Sequence, residues 1–197
     1  MSQGRNGFGW LFDGLDDYVD CGNGASLNMA VSDFTTESWV KPDKDWAVGK
    51  INVGYAQIVG KKYGYNGSES GFEFWLDYRL VGVIKIRLND GSAVADNEPA
   101  NSMDIRSELV DGNWRYITVV VHRSTKKVDF YLDGVFLSSI DFTITGSIDT
   151  TNKATIASET SLNPDAFFKG LIDEVRIYNR ALSAMEIKAL YEMGRVR

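Results

Sequence analysis

The sequence predicts an all-β fold, a two-sheet antiparallel β-sandwich that ends in one short C-terminal helix. Three observations lead to this prediction. Apolar residues recur with a period of two along most of the chain, which is the pattern of half-buried strands. Glycine, asparagine and aspartate separate these segments, and no helical crossover lies between them. About a dozen short strands joined in this way favour two sheets that pack their apolar faces together.

Alternation within each predicted strand assigns its residues to two faces. In "RYITVVVHR", Ile117 and Val121 share one face and Tyr116 lies on the other. "KVDFYLDGVFLSSI" predicts two strands joined by a tight turn at Asp133-Gly134. The other predicted strands are "GWLFDG", "FTTESWV" (ended by Pro42), "FEFWLDYR", "VIKIRLN", "KATIAS" and "LIDEVRIY".

The last segment changes to helical spacing. Its apolar residues, in "LSAMEIKALYEMG", recur every three or four positions. Ser183 and Glu186 have the spacing of a capping box, which predicts the start of the helix. Gly194 predicts its end.

Composition limits the classes of function. With 197 residues, 44% of them hydrophobic, the chain is predicted to form a single domain over residues 1–197 with a sizeable core. A net charge of -6 and a pI near 4.8 argue against nucleic acid or anionic membrane as partner, because both require clustered lysine and arginine. The single cysteine, Cys21, excludes an intramolecular disulfide.

No membrane insertion and no signal peptide are expected in this chain. No stretch reaches the roughly 18 apolar residues that a membrane-spanning helix needs, and "MSQGRNGFGW" lacks an apolar run. Two interpretations stay open: a domain taken from a longer exported protein, or a complete chain that joins an assembly.

Five motifs, in order, resemble one known family. They are "FDGLDDYV", "FTTESWVKP", "DGNWRYITVVV", "VDFYLDG" and "KGLIDEVRIYNRALSAMEIKALY". Together they resemble the laminin G-like branch of the concanavalin A-like lectin/glucanase superfamily over about Phe12 to Tyr191. The resemblance implies a jelly-roll sandwich. It also implies carbohydrate binding, adhesion or, in one branch, glycoside hydrolysis, and does not select among them.

Aspartates near both ends of the fold are candidate calcium ligands. Alternation puts Asp173 on the face shared by Val175, where a carboxylate is costly unless it is paired. Ca²⁺ would pair it, since this ion takes 6 to 8 oxygens from carboxylates and carbonyls. The resemblance implies a structural Ca²⁺ held by the first and last strands, here by the Asp13-Gly14 turn, with Asp16 beside it, and by Asp173. The alternative is that Asp13 and Asp16 make Asx-type turns and that Asp173 bonds backbone N–H groups or an arginine.

Aromatic and polar residues on the outward strand faces are candidate sugar-binding residues. A flat ring packs on the apolar face of a pyranose, and polar groups bind its hydroxyls. The alternative is a solvated face or a contact with a neighbouring subunit. The predicted carbohydrate-binding residues are Trp75, Asp77, Arg79, Arg87, Tyr116 and Tyr131.

These observations lead to a non-catalytic carbohydrate-binding or adhesion module, stabilised by Ca²⁺, as the main hypothesis. Its partner would be a glycan or glycoprotein surface, and its location extracellular or at a cell or virion surface. The second hypothesis is a structural surface protein, such as a capsid-decorating protein, that contacts other subunits of an assembly. A glycoside hydrolase would need a pair of carboxylates about 5 to 9.5 Å apart, and Glu73 and Asp77 lie roughly 13 Å apart along one strand.

Overall fold

The computed structural model describes residues 2–4, 8–44, 55–62, 69–77, 83–97, 105–109, 111–158 and 166–195. Its strands are β1 (Ser2–Gln3), β2 (Phe8–Asp13), β3 (Val19–Asp20), β4 (Phe34–Pro42), β5 (Tyr55–Lys61), β6 (Gly71–Asp77), β7 (Val83–Asn89), β8 (Val94–Asn97), β9 (Arg115–His122), β10 (Lys127–Leu132), β11 (Val135–Asp141), β12 (Thr155–Ile156) and β13 (Lys169–Tyr178). The helices are a 3₁₀ turn (Ala25–Leu27), α1 (Arg106–Leu109) and α2 (Ala184–Arg195). Neither described α-helix is long and apolar enough to cross a membrane.

The strands form two antiparallel sheets, so the predicted sandwich with a short C-terminal helix is confirmed. The seven-stranded sheet has the order β1-β2-β13-β4-β9-β10-β11, and the six-stranded sheet has the order β3-β12-β5-β6-β7-β8. The predicted turn between β10 and β11 is also confirmed. Asp133 and Gly134 have φ values of 50° and 75°, the left-handed conformation that a two-residue hairpin turn requires at both central positions.

The main core lies between the two sheets. The alternation of β6 buries Phe72, Phe74 and Leu76 there, and Phe34 of β4 meets Phe72 with ring centroids 5.3 Å apart. Because side chains alternate along a strand, the residues between these positions lie on the outer faces of the sandwich.

A bulge in β13 reverses the predicted facing of Asp173. The pairing of β13 with β4 slips between Asp173 and Arg176, and Glu174 takes a φ of 53°. The extra residue puts Asp173 opposite Trp39, on the outer face, while Val175 packs against the main core. The prediction that Asp173 shares a face with Val175 is therefore wrong, because a bulge breaks the period of two.

Helix α2 covers the outer face of the seven-stranded sheet. Ile187 of the helix packs with Trp39 and Tyr116 in a second buried cluster, and Tyr191 stacks on Trp39 with centroids 5.6 Å apart. The predicted end at Gly194 is wrong, since the helix continues to Arg195. Position 194 has room only for glycine, because a Cβ there would lie 2.5 Å from Nε1 of Trp39.

Candidate functional site

The outer face of the six-stranded sheet carries charged and polar side chains around one tryptophan. Trp75 of β6 lies opposite Gln57 of β5 on one side and Lys85 of β7 on the other. One row further along the sheet, Glu73 lies opposite Arg87. We call this surface the polar face, defined by Gln57, Glu73, Trp75, Asp77, Lys85 and Arg87.

Ion pairs hold the charged groups of the polar face. Oε2 of Glu73 lies 3.3 Å from Nη1 of Arg87 and 3.9 Å from Nζ of Lys62. Nζ of Lys85 lies 3.1 Å from Oδ2 of Asp77. A buried charge is costly unless it is paired. These contacts pair all four charged residues of the polar face, and they pair Glu73 with the adjoining Lys62 as well.

Burial within the polar face is uneven. The side chains of Glu73 and Arg87 are each 4% exposed, whereas those of Asp77 and Lys85 are 7% and 19% exposed. On the β5 side of Trp75, the side chain of Gln57 is also buried, and its Nε2 donates to the backbone oxygen of Ser158 at 2.7 Å. Solvent therefore reaches the polar face at its Asp77 and Lys85 end.

Neighbouring side chains hold the indole ring of Trp75 in place, but its N–H has no hydrogen-bond acceptor within the described structure. The guanidinium of Arg87 lies 4.8 Å from its ring centroid, within the range of a cation–π contact, and the ring of Tyr55 lies 6.2 Å away. Trp75 is 5% exposed, and within the described structure its Nε1 is buried without a hydrogen-bond partner. An unsatisfied buried donor of this kind costs about 1–3 kcal/mol.

Three predicted sugar-binding residues, Trp75, Asp77 and Arg87, come together on the polar face as expected, although they are buried rather than openly exposed. Arg79 lies outside the described residues. The binding role of all four stays a prediction.

Tyr116 and Tyr131 do not lie on an open surface, and the expectation of exposure is wrong. Both point outward from the seven-stranded sheet, but they belong to the cluster under helix α2. Tyr116 is 0% exposed and its hydroxyl donates to Glu37. Burial raises the pKa of both hydroxyls, and the nearby Glu37 carboxylate adds to the rise at Tyr116. Both tyrosines therefore pack within the fold, and Tyr116 also hydrogen-bonds there.

Sequence reasoning missed Gln57 and Lys62, because it predicted no strand at β5, which contains Gln57 and ends one residue before Lys62. The signal was present: "YAQIVGK" contains branched and aromatic residues at strand length. A bulge between Gln57 and Val59 interrupts the alternation and hides it. The complete row of side chains around Trp75 therefore appears only in the folded sheet.

The structure separates the predicted calcium ligands. Asp13, at the end of β2, pairs with Lys169, whereas Asp173 lies four residues further along β13, roughly 13 Å away at the rise of a strand. The prediction that Asp13 and Asp173 together clip the ends of the fold is therefore wrong.

The turn after β2 brings three carboxylates together instead. Asp13, Asp16 and Asp17 each have a carboxylate oxygen within 4.8 Å of the others, and all three are exposed. Oδ1 of Asp13 also accepts a hydrogen bond from N of Leu15 at 2.8 Å, which is the Asx turn of the alternative reading. Gly14 is buried with a φ of 80°, and a Cβ there would lie 2.8 Å from Cβ of Lys169.

Similarity to a known family extends over most of the chain. Residues 12–188 match the family described as the concanavalin A-like lectin/glucanases superfamily. The chain belongs to this superfamily. The resemblance carried by the five sequence motifs is thus confirmed. The comparison with curated proteins found no match.

Solved structures of this fold include binding domains of bacterial proteins. The binding domain of Paraclostridial Mosquitocidal Protein 1 is 20% identical with a TM-score of 0.75, and the match covers 97% of this chain and 44% of that one. Domain 4 of AbnA, an extracellular arabinanase from Geobacillus stearothermophilus solved with arabinotriose, is 18% identical with a TM-score of 0.67 over 96% and 79% of the two chains.

A third similar structure is the CBM40 of the Ruminococcus gnavus IT-sialidase, solved with α2,3-sialyllactose. It is 12% identical with a TM-score of 0.58, and the match covers 89% of this chain and 96% of that one. This chain spans less than half the length of the mosquitocidal binding domain. At these identities the likeness establishes the shared fold.

Proposed function

We propose that this chain is a non-catalytic carbohydrate-binding module whose site is the polar face. The observation that carries the proposal is the buried, unpartnered Nε1 of Trp75, set beside paired carboxylates and cations. A saccharide offers hydroxyl oxygens to such a donor and packs its apolar ring face on aromatic side chains. Similar solved domains that carry arabinotriose and sialyllactose support this class of ligand.

The paired charges of the polar face suit the hydroxyl groups of a glycan, because carboxylates accept and ammonium or guanidinium groups donate hydrogen bonds. The more exposed Asp77 and Lys85 would meet the ligand first. Arg87, held against the Trp75 ring, would position the indole.

The proposal is tested by glycan-array binding of the purified chain with two variants of Trp75. Trp75→Ala removes the ring and the donor, and we expect it to abolish binding. Trp75→Phe keeps one aromatic ring and removes the N–H together with part of the indole surface, and we expect a 10-fold or larger loss of affinity, as about 1.4 kcal/mol for the lost hydrogen bond alone implies. Unchanged binding by both variants would refute the polar face as the site.

The arrangement of carboxylates supports a binding role rather than a hydrolase. On β6, Glu73 faces Gly60 and Arg87 across the sheet, and Asp77 faces Tyr55 and Val83. Neither has a carboxylate directly opposite on a neighbouring strand, which is where a catalytic pair at about 5 to 9.5 Å would be found. An assay for release of reducing sugar from bound glycans should therefore show no turnover.

Calcium stays a proposal, with a changed set of ligands. We propose that Asp13, Asp16 and Asp17 supply the carboxylates and that the remaining oxygens come from backbone carbonyls, such as that of Gly14, and from water. The role of the ion would be to hold the turn after β2.

Location and assembly are also proposals. A carbohydrate-binding role would place the chain outside a cell or at a cell or virion surface. One observation favours the alternative role in an assembly: β11 is an edge strand on which Val135 and Phe136 are 64% and 50% exposed, and exposed edges pair with other chains. Light scattering would show self-association in that case.

A further inference from the structure

A polar pocket lies at one end of the sandwich, where four loops meet. The loops lie between β3 and β4, before β6, between β7 and β8, and between β11 and β12. The volume of the pocket is about 500 Å³, within the range of small-molecule sites, and loops on a rigid scaffold often carry binding residues. We call it the loop pocket. The residues that line it are Asn28, Glu69, Ser70, Gly91, Asp149, Thr150, Thr151 and Asn152.

Hydrogen bonds between the loops hold the loop pocket in shape. Nδ2 of Asn152 donates to Oε2 of Glu69 at 2.7 Å, which joins the loop before β12 to the loop before β6. The hydroxyl of Ser70 donates to the backbone oxygen of Asp149, and Oδ1 of Asp149 accepts the N–H of Ala30 at 2.7 Å. Side chains that are already positioned lose less entropy when a ligand binds. The lining is therefore pre-organised.

The same hydrogen bonds determine how the two amides of the lining are oriented. Oδ1 of Asn28 accepts from Nζ of the buried Lys61, and because an ammonium group only donates, Nδ2 of Asn28 is the atom left for a ligand. Nδ2 of Asn152 donates to Glu69 and, at 2.8 Å, to Oγ1 of Thr150. These bonds use both of its hydrogens and leave Oδ1 of Asn152 as an acceptor.

The loop pocket thus presents both acceptors and donors. The acceptor atoms of its lining that have no hydrogen-bond partner within the described structure are Oε1 of Glu69, Oδ2 of Asp149, Oγ1 of Thr151 and Oδ1 of Asn152. Nδ2 of Asn28 and the hydroxyl hydrogen of Thr151 are donors beside them. A ligand that matches this lining must donate and accept at several neighbouring atoms, which is a property of the hydroxyl groups of a sugar.

A sugar fits the loop pocket better than a bare metal ion does. Ca²⁺ takes 6 to 8 oxygen ligands, whereas Asn28 turns an NH₂ group toward the ligand. The ammonium group of Lys61 also lies close to Asp149, since burial lowers the pKa of Lys61 and the Asp149 carboxylate opposes that fall. A cation bound beside Asp149 would be repelled by Lys61.

We propose that the loop pocket binds one saccharide unit through its hydroxyl groups. The carboxylates of Glu69 and Asp149 would accept hydrogen bonds from sugar hydroxyls, and Nδ2 of Asn28 would donate to another. No aromatic side chain is among the described residues of the lining, so binding would depend on hydrogen bonds rather than on stacking. The loop pocket lies at the end of the sandwich and the polar face on its side, so this site goes beyond the function proposed for the polar face and does not depend on it.

The proposal is tested by titrating sugars into protein labelled with carbon-13 at its threonine methyl groups. The probes are the methyl glycosides of glucose, galactose and mannose, together with xylose and arabinotriose, at millimolar concentrations. The methyl signals of Thr150 and Thr151 report binding in the loop pocket, and the indole N–H signal of Trp75 reports the polar face. Calcium chloride alone is titrated in a separate experiment.

Two variants remove single contacts of the loop pocket. Thr151→Val replaces an exposed hydroxyl with a methyl group of similar size. Glu69→Gln keeps an oxygen for the bond to Asn152 and replaces the unpartnered Oε1 with an NH₂ group. Thr145→Val is the matched control, because Thr145 is exposed on the same connection between β11 and β12 and does not line the pocket.

We expect at least one sugar to shift the Thr150 and Thr151 signals, also in the Trp75→Phe variant. Thr151→Val and Glu69→Gln should each weaken this binding at least 3-fold, measured at the Thr150 signal, whereas Thr145→Val should leave it unchanged. Signals that no sugar moves, binding that survives both pocket variants unchanged, or signals that move with calcium but not with sugar would each overturn the proposal. Because Trp75 reports the polar face separately, failure of one site is distinguished from failure of the other.

Discussion

Glu37 shows how a single buried carboxylate is held on the outer face of the seven-stranded sheet. Its side chain is 0% exposed. Oε2 accepts a hydrogen bond from the hydroxyl of Tyr116, and Oε1 accepts from Nη1 of Arg176 at 3.1 Å and from the hydroxyl of Tyr178 at 3.2 Å. The pKa of the Tyr116 hydroxyl is raised by burial and by this carboxylate, so it stays a protonated donor.

Replacing Tyr116 with phenylalanine should destabilise the fold. Tyr116→Phe keeps the ring in its cluster and removes a donor to a buried charge, at a cost of about 1–3 kcal/mol. Urea unfolding measures the change. Tyr178→Phe removes a longer bond from a half-buried residue and should cost less; equal losses in the two variants would contradict this reading of Glu37.

Single residues also show the limit of alternation as a predictor. It assigned Trp75, Asp77 and Arg87 correctly to one face, because side chains alternate along a regular strand. It placed Tyr116 outward, which is also correct, but a strand pattern contains no information about what covers a face. Helix α2 covers that one, so the same argument predicted a sugar-binding tyrosine where the structure has a packed one.

At the scale of elements, helix α2 has a start that the sequence predicts and an end that it does not. In a capping box, the backbone N–H of Ser183 donates to Oε2 of Glu186 and the backbone N–H of Glu186 donates to Oγ of Ser183. This interaction is local in sequence. Gly194 was predicted to end the helix because glycine often does. Its actual reason is the indole of Trp39, a contact between residues far apart in sequence.

Substituting Gly194 with alanine should destabilise the protein although alanine is the better helix former. The helix gains about 1 kcal/mol from the substitution, but a Cβ 2.5 Å from Nε1 of Trp39 costs about 1–3 kcal/mol through overpacking. Urea unfolding should show a net loss. Met185→Ala, at a position 81% exposed in the same helix, should change stability by less than about 0.5 kcal/mol.

The cap of α2 should weaken in acid. Hydrogen bonds from Arg180 and Ser183 lower the pKa of Glu186 from its ordinary 4.5 to about 2. A lowered folded-state pKa stabilises above the unfolded value, and the contribution is lost as the pH falls from 4.5 through about 2. The difference in urea midpoint between wild type and Glu186→Gln should therefore shrink over this window. Glu192→Gln, which loses only an exposed pair with Arg195, should differ little from wild type at any pH.

At the scale of the whole molecule, the sandwich could be predicted because its strands are amphipathic and its turns have characteristic residues. The β10–β11 hairpin and the first and last long strands follow from pattern alone. The existence of strand β5 and the facing of Asp173 could not be predicted from the sequence. Bulges next to Gln57 and at Glu174 shift the alternation of apolar and polar residues by one position there. The first of these bulges adjoins the polar face, so the sequence pattern fails next to a surface proposed to bind.

Calcium should raise the melting temperature if the aspartate turn holds the ion. At 100-fold above its Kd, a bound ion adds about 2.7 kcal/mol, or roughly 5 to 10 °C in a domain of this size. Scanning calorimetry in calcium and in chelator measures the shift. Asp16→Asn, which leaves the Asx turn of Asp13 intact, should reduce it; identical melts in calcium and chelator would remove the ion from the proposal.

The pairing of β2 with β13 also determines how the fold responds to force. These strands are antiparallel neighbours, so the start of β2 and the end of β13 lie at the same end of the sheet. Tension between the chain ends would first detach the short β1 from β2 and lift α2. It would then load the β2–β13 hydrogen bonds one after another, since they run perpendicular to the strands. The domain should open like a zipper, at a much lower force than a sheet pulled in shear.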